Sequence, residues 1–280
     1  LHTEVFMSFF TCPICKKRFI RQNHSLVCPN GHCFDIARQG YVNLLRSRGA
    51  ARRHGDDKMM VAARTAFLNA GCYDPLRDAV TELAARHAKG GCVILDAGCG
   101  EGFYPSFLRA ALENSGISVS VYGIDVSRDA LIACAARDSG IGLAAASISD
   151  IPVENESVDI LLNLFAPYDA AEFARVLKPG GTLIRAFPGE RHLWELKEAV
   201  YTTPYENVVD TLELAGFSLL SRTDLRFPLT LADRERIEAL FKMTPYYYKT
   251  SREGQAKLAA LQTLRTNAEF IVAEYRKEAL

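Results

Sequence analysis

The glycine-rich stretch Asp96-Ala-Gly-Cys-Gly-Glu-Gly102 constrains the fold more than any other segment of the chain. It follows a short apolar run at residues 93–95 and precedes a helix-like segment at 103–112. Glycines let the backbone turn sharply and let a ligand approach it, and a helix that begins here offers unpaired amides. A strand, a glycine turn and a helix in this order predict one unit of an α/β sheet.

Strand-like and helix-like segments alternate along the rest of the chain. The expected strands are 93–95, 119–124, 142–146, 158–164, 182–187, 217–220 and 269–275. This alternation predicts an α/β fold with a parallel, doubly wound, Rossmann-like sheet. The last strand returns after a long excursion and is expected to run antiparallel at or near the sheet edge. Expected helix caps are Asp74, with Pro75 as the first helical residue, and Ser127.

The spacing of the glycines indicates which nucleoside cofactor this loop accepts. Gly98, Gly100 and Gly102 form G-x-G-x-G, whereas a nicotinamide cofactor favours G-x-G-x-x-G with its pyrophosphate on the helix. The loop resembles the first motif of class I S-adenosylmethionine methyltransferases, which implies that Asp96 and Glu101 belong to the same site. Asp125 ends the next strand, where an acid can accept both ribose hydroxyls. The resemblance further implies that Asp150 and Ile151 lie beside the adenine.

Four of the eight cysteines crowd into residues 12–33. Cys12-Pro-Ile-Cys15 and Cys28-Pro-Asn-Gly-His32 follow the pattern C-x2-C-x12-C-x3-H. Each half predicts a tight turn with two ligands, and two such turns can enclose one tetrahedral ion, for which Zn²⁺ is the best match. Cys33 is an alternative to His32 as the fourth ligand. Four protein ligands leave no open position, so the expected role is structural, and a module this small depends on its ion to fold.

Charge is balanced overall but unevenly distributed. The chain has 33 basic and 33 acidic side chains, yet residues 1–55 hold nine Lys and Arg against two acids, a net charge of +7, and the rest carries −7. This distribution predicts a polyanionic partner for the N-terminal part. The sequence shows no signal peptide and no apolar run of about 18 residues, which predicts a reduced, cytoplasmic protein without a membrane partner.

From Met7 onward the chain resembles the RlmA-type family, the large-subunit (23S) ribosomal RNA guanine-N1 methyltransferases. The most specific evidence is the cysteine spacing joined to Gly40-Tyr-Val-Asn-Leu-Leu45, and other matching segments are Arg64-Thr-Ala-Phe-Leu-Asn-Ala-Gly-Cys-Tyr-Asp-Pro-Leu-Arg77, Pro188-Gly-Glu-Arg-His-Leu193 and Met243-Thr-Pro245. The resemblance implies a hairpin of ribosomal RNA as partner and S-adenosylmethionine and Zn²⁺ as cofactors. The zinc ligands that it implies are Cys12, Cys15, Cys28 and His32. The cofactor contacts that it implies are Tyr73, Gly100, Glu101 and His192.

Transfer to guanine N1 requires a positioned base and a group that takes up or polarises the N1 proton. The candidate catalytic residues are Asn163, Phe165 and His192. The family resemblance leads us to expect a tyrosine where Phe165 stands. Asn163 is either a hydrogen-bond partner of the guanine edge, and of the cofactor, or a turn residue at a strand end. Asp169 is expected to cap a helix.

A target guanine in a hairpin must be exposed and stacked on a flat group. Tyr246-Tyr247-Tyr248 offers such a surface, and ordinary packing is the alternative. Phosphate contacts are expected from the basic side chains of the N-terminal part, with a merely solvated face as the alternative. These side chains are Lys16, Lys17, Arg18, Arg46, Arg48, Arg52 and Arg53. A homodimer would enlarge this RNA-binding face.

The expected domains are a zinc-binding module at 7–35, a basic linker at 36–58 and a methyltransferase domain at 59–280. Three other functions fit parts of the pattern. They are a methyltransferase of the same fold acting on another RNA, a protein or a small molecule, an inactive zinc-ribbon RNA-binding protein, and a nicotinamide oxidoreductase. The glycine spacing disfavours the oxidoreductase, and the basic zinc module favours RNA over a small molecule.

Overall fold

The computed structural model describes residues 9–46 and 55–279, which form a small sheet and a large one. The small sheet is antiparallel and consists of β1 (Ile20–Gln22), β2 (Ser25–Val27) and β3 (Cys33–Asp35). The strands of the large sheet are β4 (Tyr41–Asn43), β5 (Cys92–Ala97), β6 (Val119–Asp125), β7 (Gly142–Ala145), β8 (Val158–Leu164), β9 (Leu177–Pro188), β10 (Phe217–Leu231) and β11 (Leu264–Lys277). The helices of the described residues are α1 (Lys58–Asn69), α2 (Asp74–His87), α3 (Phe103–Asn114), α4 (Arg128–Arg137), α5 (Ala170–Val176), α6 (Trp194–Val200), α7 (Arg234–Lys242), α8 (Tyr246–Lys249) and α9 (Arg252–Ala260).

The strands of the large sheet lie in the order β10-β11-β9-β8-β5-β6-β7-β4. From β9 to β4 every neighbouring pair is parallel, whereas β11 is antiparallel to both β9 and β10. The expected doubly wound sheet is confirmed, and its antiparallel late strand lies one position inside the edge. After β5 the chain adds β6 and β7 on one side of β5, and it then crosses back to add β8 on the other side. Ligands of open α/β sheets bind in the crevice at such a reversal.

Apolar side chains alternate between two layers along the central strands. Ile94 and Ile160 belong to one layer, which also contains the apolar faces of α2 and α3. Leu95 and Leu161 belong to the other, which contains α5 and the buried ring of Phe10 from the N-terminal module. Because both faces of the sheet are covered, its parallel strands are continuous apolar runs, which is why the sequence predicts them well.

The last two strands are much longer than the sequence predicts. The expected ranges were 217–220 and 269–275, but β10 and β11 pair from Phe217 with Lys277 to Leu231 with Leu264. Nine of the fifteen residues of β10 are exposed and Ser221 to Asp224 form a continuous polar run, since β10 is an edge strand. The apolar pattern therefore stops early, while the backbone hydrogen bonds of the pair continue.

The start of α2 corrects another expectation. Asp74 is the first helical residue, and Tyr73 occupies the cap position without a side-chain hydrogen bond. The Asp74 carboxylate accepts a hydrogen bond from Arg77 Nη1 at 2.6 Å instead of one from a backbone amide of the first turn. The expected caps Ser127 and Asp169 are confirmed, since each side chain accepts a hydrogen bond from the backbone amide three residues further on.

The range 36–58, expected as a linker, contains a strand of the large sheet. Tyr41–Asn43 form β4, which pairs with β7 at the sheet edge and buries Tyr41 and Val42. This short apolar run covers backbone groups of β7 that would otherwise be unpaired. Residues 47–54, and with them Arg48, Arg52 and Arg53, lie outside the described residues. Among the helices of 55–279, none combines the length and the apolar character that a membrane span requires.

Candidate metal centre and cofactor cleft

The four predicted zinc ligands converge in the N-terminal module. The ligand atoms of Cys12, Cys15, Cys28 and His32 all lie within 4.8 Å of one another. Cys15 Sγ is 3.5 Å from Cys28 Sγ, and His32 Nδ1 is 3.3 Å from Cys28 Sγ. A tetrahedral Zn²⁺ with bonds of about 2.3 Å to sulfur separates its ligand atoms by about 3.8 Å, so these residues fit that ion.

Backbone hydrogen bonds hold the second ligand turn, and its first cysteine has a lowered pKa. The Cys28 amide donates to the carbonyl of His32, and the Gly31 amide donates to the carbonyl of Cys28. Burial acts to raise the pKa of Cys28, but hydrogen bonds from Cys15 and from backbone amides outweigh it and lower the pKa to about 6. Cys28 is therefore a thiolate at neutral pH, the form that binds metal. Cys33 is exposed on β3 and lies outside this cluster.

The three glycines of the cofactor loop have different structural reasons to be glycine. All three have positive φ, at +96° for Gly98, +54° for Gly100 and +83° for Gly102. A Cβ on Gly98 would overlap the Cβ of Ala166, and one on Gly102 would lie 2.5 Å from Cys134 Sγ. At Gly100 the nearest atom is Arg64 Nη1, 3.8 Å away. Gly98 and Gly102 thus permit packing, whereas Gly100 faces the open side of the loop.

Asp125 lies at the end of β6 and holds the loop in place. One carboxylate oxygen accepts from the Gly100 amide at 2.9 Å, and the other accepts from the Ser127 amide at 2.8 Å. Burial raises the pKa of Asp125 against the effect of these two amides. A carboxylate in this position can also accept hydroxyl protons of a ribose.

Buried polar atoms without protein partners mark this cleft as a ligand site. Asp96 Oδ1, Glu101 Oε1 and the Tyr104 hydroxyl are buried and have no hydrogen-bond partner among the described residues. Glu101 Oε2 accepts from Arg137 Nε at 2.9 Å. Burial, together with the nearby charge of Asp125, raises the pKa of Asp96 to about 8. Such atoms need a ligand or water, and carboxylates suit the ammonium group of an amino-acid portion.

Tyr73 and His192 form a buried pair beside the cleft. The Glu269 amide donates to His192 Nδ1 at 3.1 Å, and His192 Nε2 lies 3.4 Å from the Tyr73 hydroxyl. Because Nδ1 accepts this hydrogen bond, the neutral ring carries its own proton on Nε2. Burial lowers the pKa of His192 to about 3. These contacts favour a positioning role for His192 over that of a proton acceptor, and its contact with the cofactor stays a prediction.

The loop after β8 contains the other two candidate catalytic residues. Asn163 is buried, and its Nδ2 donates to the carbonyls of Ala97 and Pro167 at 3.2 and 2.9 Å. This favours the turn role for Asn163 over a contact with the guanine edge. Phe165 has φ +58° and is 43% exposed, with its ring 5.3 Å from that of Phe270. A left-handed conformation is unfavourable for a bulky residue and is often found at functional sites.

Asp150 and Ile151 do not present the groups expected of an adenine site. The Asp150 carboxylate forms an ion pair with Lys16 of the N-terminal module. The Ile151 side chain is fully buried, and its amide donates to Glu172 Oε1 at 2.6 Å. Ile148, which the sequence reasoning missed, has its Cδ1 only 3.7 Å from the Cβ position of Gly98. Its place three residues after the end of β7 was the available signal.

The expected aromatic and basic RNA contacts divide into engaged and exposed side chains. Tyr246 packs near Tyr201, and Tyr247 packs near Phe241. Tyr248 is exposed, and its hydroxyl donates to the Asp57 carboxylate.

Within the N-terminal module, two of the three consecutive basic residues are engaged. Lys16 and Arg18 pair with Asp150 and Glu154 on the large domain. Both acids lie in the segment between β7 and β8, and the two basic side chains stay largely exposed, so their contact with phosphate stays a prediction. Lys17 is exposed and forms no ion pair among the described residues.

The sheet order, the glycine loop and the Cys3His cluster define an S-adenosylmethionine-dependent methyltransferase with a zinc ribbon. A model of the RlmA N-terminal zinc ribbon matches residues 10–48, and a methyltransferase domain model matches residues 94–181. A chain from a complex of the Haloferax volcanii Trm112 methyltransferase activator with a methyltransferase shares the fold. Its TM-score is 0.50 at 16% identity, over 80% of this chain and all of that one.

Two curated relatives narrow the class to one family. A Bacillus subtilis (strain 168) protein, provisionally named a 23S rRNA (guanine-N(1)-)-methyltransferase, is 32% identical over 91% of this chain and 93% of its own. The 23S rRNA (guanine(748)-N(1))-methyltransferase of Streptomyces fradiae is 37% identical over 69% of this chain and 68% of its own. The chain belongs to the family of 23S rRNA (guanine-N1) methyltransferases of the RlmA type.

Proposed function

We propose that this chain transfers a methyl group from S-adenosylmethionine to N1 of a guanine in a hairpin of 23S ribosomal RNA. The observation that carries the proposal is the packing of a Cys3His ribbon onto a methyltransferase sheet through the buried ring of Phe10. The reaction named for the two relatives supports the same substrate. The ribbon contributes a folded RNA-facing module, and the sheet contributes the cofactor cleft.

The cleft residues divide the work of binding the cofactor. The backbone from Gly98 to Gly102 allows close approach, and Asp125 accepts the ribose hydroxyls. Asp96 and Glu101 face the ammonium group with their unpaired oxygens. The bound cofactor supplies a methyl group already activated on a sulfonium. The protein therefore has mainly to orient the base. The guanine N1 proton would pass to solvent, since His192 and Asn163 are both hydrogen-bonded to backbone groups and are not placed to accept it.

Tyr73 and His192 act as a positioning pair. The Glu269 amide keeps the His192 proton on Nε2, and that proton is directed at the Tyr73 oxygen. The Tyr73 hydroxyl is then left to donate its own proton to a ligand in the cleft. Both side chains are buried, so this orientation is maintained without competition from water.

Phe165 provides the flat surface for the extruded guanine. It is exposed at the carboxyl end of β8, and its backbone is fixed there because its amide donates to the carbonyl of Ala186 at 2.9 Å. Asn163 braces the same loop from below through two carbonyl contacts. A ring that stacks on the base needs no hydroxyl, which is consistent with phenylalanine at this position.

The Zn²⁺ ion is structural in this proposal. Cys12, Cys15, Cys28 and His32 complete a tetrahedral shell and leave no position for a reacting group. Residues 7–35 and the basic residues up to 58 supply the RNA contacts, and residues 59–280 supply the cofactor site. Two ribbons in a homodimer would extend the contact along a hairpin. Analytical ultracentrifugation with and without the hairpin tests this arrangement.

The central test is methyl transfer from labelled S-adenosylmethionine to large-subunit rRNA from cells that lack the enzyme. N1-methylguanine stops reverse transcription, so one new stop at a hairpin guanine is expected. Phe165→Ala should slow transfer about 5- to 150-fold, the range of a lost base stack, with unchanged cofactor affinity. Phe107→Ala, which removes another partly exposed ring on α3, is the matched control and should leave the rate unchanged.

Two outcomes would contradict the proposal in different ways. Absence of methyl incorporation, with cofactor and zinc bound, would mean that the substrate is another RNA or a different class of molecule. Failure of the zinc-loaded chain to bind the cofactor at all would instead favour an RNA-binding protein without catalytic activity.

A further inference from the structure

We propose that Arg64 binds the carboxylate of the cofactor's methionine portion. When that carboxylate is absent, the guanidinium of Arg64 pairs with Asp56 instead. The inference deepens the proposed function at its cofactor site, and it rests on S-adenosylmethionine as the cofactor but not on the choice of RNA. Four observations carry it: the position of Arg64, the charge of the cleft, the Asp56 pair and the open face of Gly100.

Arg64 reaches the cofactor loop from α1, a helix outside the motif. Its Nη1 is the closest atom to the Cβ position of Gly100, at 3.8 Å, on the side of the loop where nothing else lies within 4 Å. Its Nη2 is oriented by the carbonyl of Met243, at 3.4 Å, beyond the end of α7. The guanidinium is therefore held beside the glycine that faces the opening, and a ligand on that glycine must contact it.

The other charges of the cleft require a cation at this place. Glu101 and Asp125 are acids of the loop region, and both are largely or fully buried. Asp96 is a third acid, but its pKa of about 8 leaves it mostly protonated near neutral pH. Arg137 is engaged by Glu101. A ligand carboxylate that approached this group of acids without a facing cation would be repelled, because like charges interact strongly where water is excluded. Arg64 already opposes the burial-driven rise in the pKa of Asp125 and of Glu101, so its charge is felt within the cleft.

Asp56 supplies the carboxylate that the ligand would replace. Its side chain forms an ion pair with Arg64 Nη1, and its backbone carbonyl accepts from Ser127 Oγ at 2.5 Å. Ser127 also donates its amide to Asp125, so Asp56 is anchored next to the expected ribose site. Exchange of one carboxylate for another preserves the charge around Arg64. A planar guanidinium can bind either of them through two parallel hydrogen bonds.

The experiment compares two ligands that differ only in the amino-acid portion. S-adenosylhomocysteine carries the carboxylate, whereas 5′-methylthioadenosine retains the adenosine and lacks it. Calorimetric binding to the full zinc-loaded chain gives both dissociation constants. Arg64→Gln should weaken S-adenosylhomocysteine about 50-fold, as expected for a lost charge-assisted pair, and change methylthioadenosine less than about twofold. Arg64→Lys should lie between these limits, because it keeps the charge but not the fork.

Two further variants separate ligand binding from a structural brace. Asp56→Asn removes the competing carboxylate, so S-adenosylhomocysteine should bind about threefold more tightly and methylthioadenosine should be unchanged. Arg77→Gln makes the same chemical change as Arg64→Gln on the neighbouring helix α2, and both affinities should match the wild type. The near-ultraviolet circular dichroism of each variant reports whether its fold is intact.

The proposal would be overturned if Arg64→Gln weakened both ligands equally, or if Asp56→Asn weakened S-adenosylhomocysteine as Arg64→Gln does. Either result would make the Arg64–Asp56 pair a brace of α1. If Arg64→Gln did not fold, the opposite effects expected from Arg64→Lys and Asp56→Asn would still decide. Wild-type protein that bound neither ligand would contradict the cofactor assignment itself, whereas unaltered binding in every variant would contradict only the role of Arg64.

Discussion

The zinc ribbon and the cofactor cleft assemble their binding groups in opposite ways. All four metal ligands come from two short turns at residues 12–15 and 28–32. The groups that we propose for the cofactor come instead from Arg64 of α1, the glycine loop after β5, Asp125 at the end of β6 and His192 before α6. The ribbon site depends on local spacing and an ion, whereas the cleft depends on the whole sheet. Loss of one ligand should therefore destroy the first site but only weaken the second.

The largest expected effect comes from the loss of one metal ligand in the zinc ribbon. Cys28→Ser should abolish stoichiometric zinc binding and reduce rRNA methylation by at least about 100-fold, because the ion and the fold of the small module depend on each other. Affinity for S-adenosylhomocysteine should change far less. Metal analysis and calorimetry on the same sample check both statements. Cys33→Ser, on the neighbouring exposed thiol, is the matched control, and zinc loss in that variant would contradict the ligand set.

Alanine at the three loop glycines tests the cleft side. Gly98→Ala should lower the free energy of unfolding by about 3 kcal/mol, since its Cβ overlaps Ala166 and its φ is positive. Gly100→Ala should lower it by only about 1 kcal/mol but weaken cofactor binding, because its Cβ would occupy the open face. Gly90→Ala, where nothing lies within 4 Å, is the control for denaturant unfolding. Equal stability losses at Gly98 and Gly100 would refute the distinction.

The histidine of the cleft should respond to pH through stability. His192 has a folded-state pKa of about 3, below its ordinary value of 6.5, so at acidic pH the unfolded chain binds a proton that the folded chain does not. Stability should thus fall as pH drops below about 6.5, by about 2 kcal/mol at pH 5. His192→Gln should remove this part of the slope in denaturant titrations. His24→Gln, at an exposed position of the ribbon, should retain it.

The smallest effect concerns the boundary between the two regions. Lys16 pairs with Asp150 across that boundary, whereas its neighbour Lys17 is exposed. Lys17→Ala should reduce the salt dependence of hairpin binding by about 0.7 to 0.9 in log–log slope, the value for one phosphate contact. Lys16→Ala should leave that slope unchanged and lower stability by less than about 1 kcal/mol, as for an exposed ion pair. A lower slope for Lys16→Ala would place Lys16 on the RNA.

Much of the fold and of the metal site could be predicted because the signals are local. The parallel strands are buried on both faces and are therefore apolar runs, and the two ligand turns carry their own spacing. The length of β10 could not be predicted, since an edge strand keeps polar side chains while its backbone is paired. Asp150 is expected beside the adenine from its place in a motif, but its ion pair with Lys16, which is distant in sequence, could not be predicted.

The sequence by itself determined the class of sheet, the glycine loop with Asp125 and three of the four metal ligands, because each depends on a pattern within short segments of the chain. The choice of His32 over Cys33 as the fourth ligand came from the structure. Only the tertiary structure decided that His192 is held neutral by the Glu269 amide, that Asn163 braces a loop and that Arg64 lies beside Gly100. These properties depend on burial and on partners from other strands and helices. Protonation, hydrogen bonding and charge are set by the atoms that surround a group in space, whatever their distance along the chain.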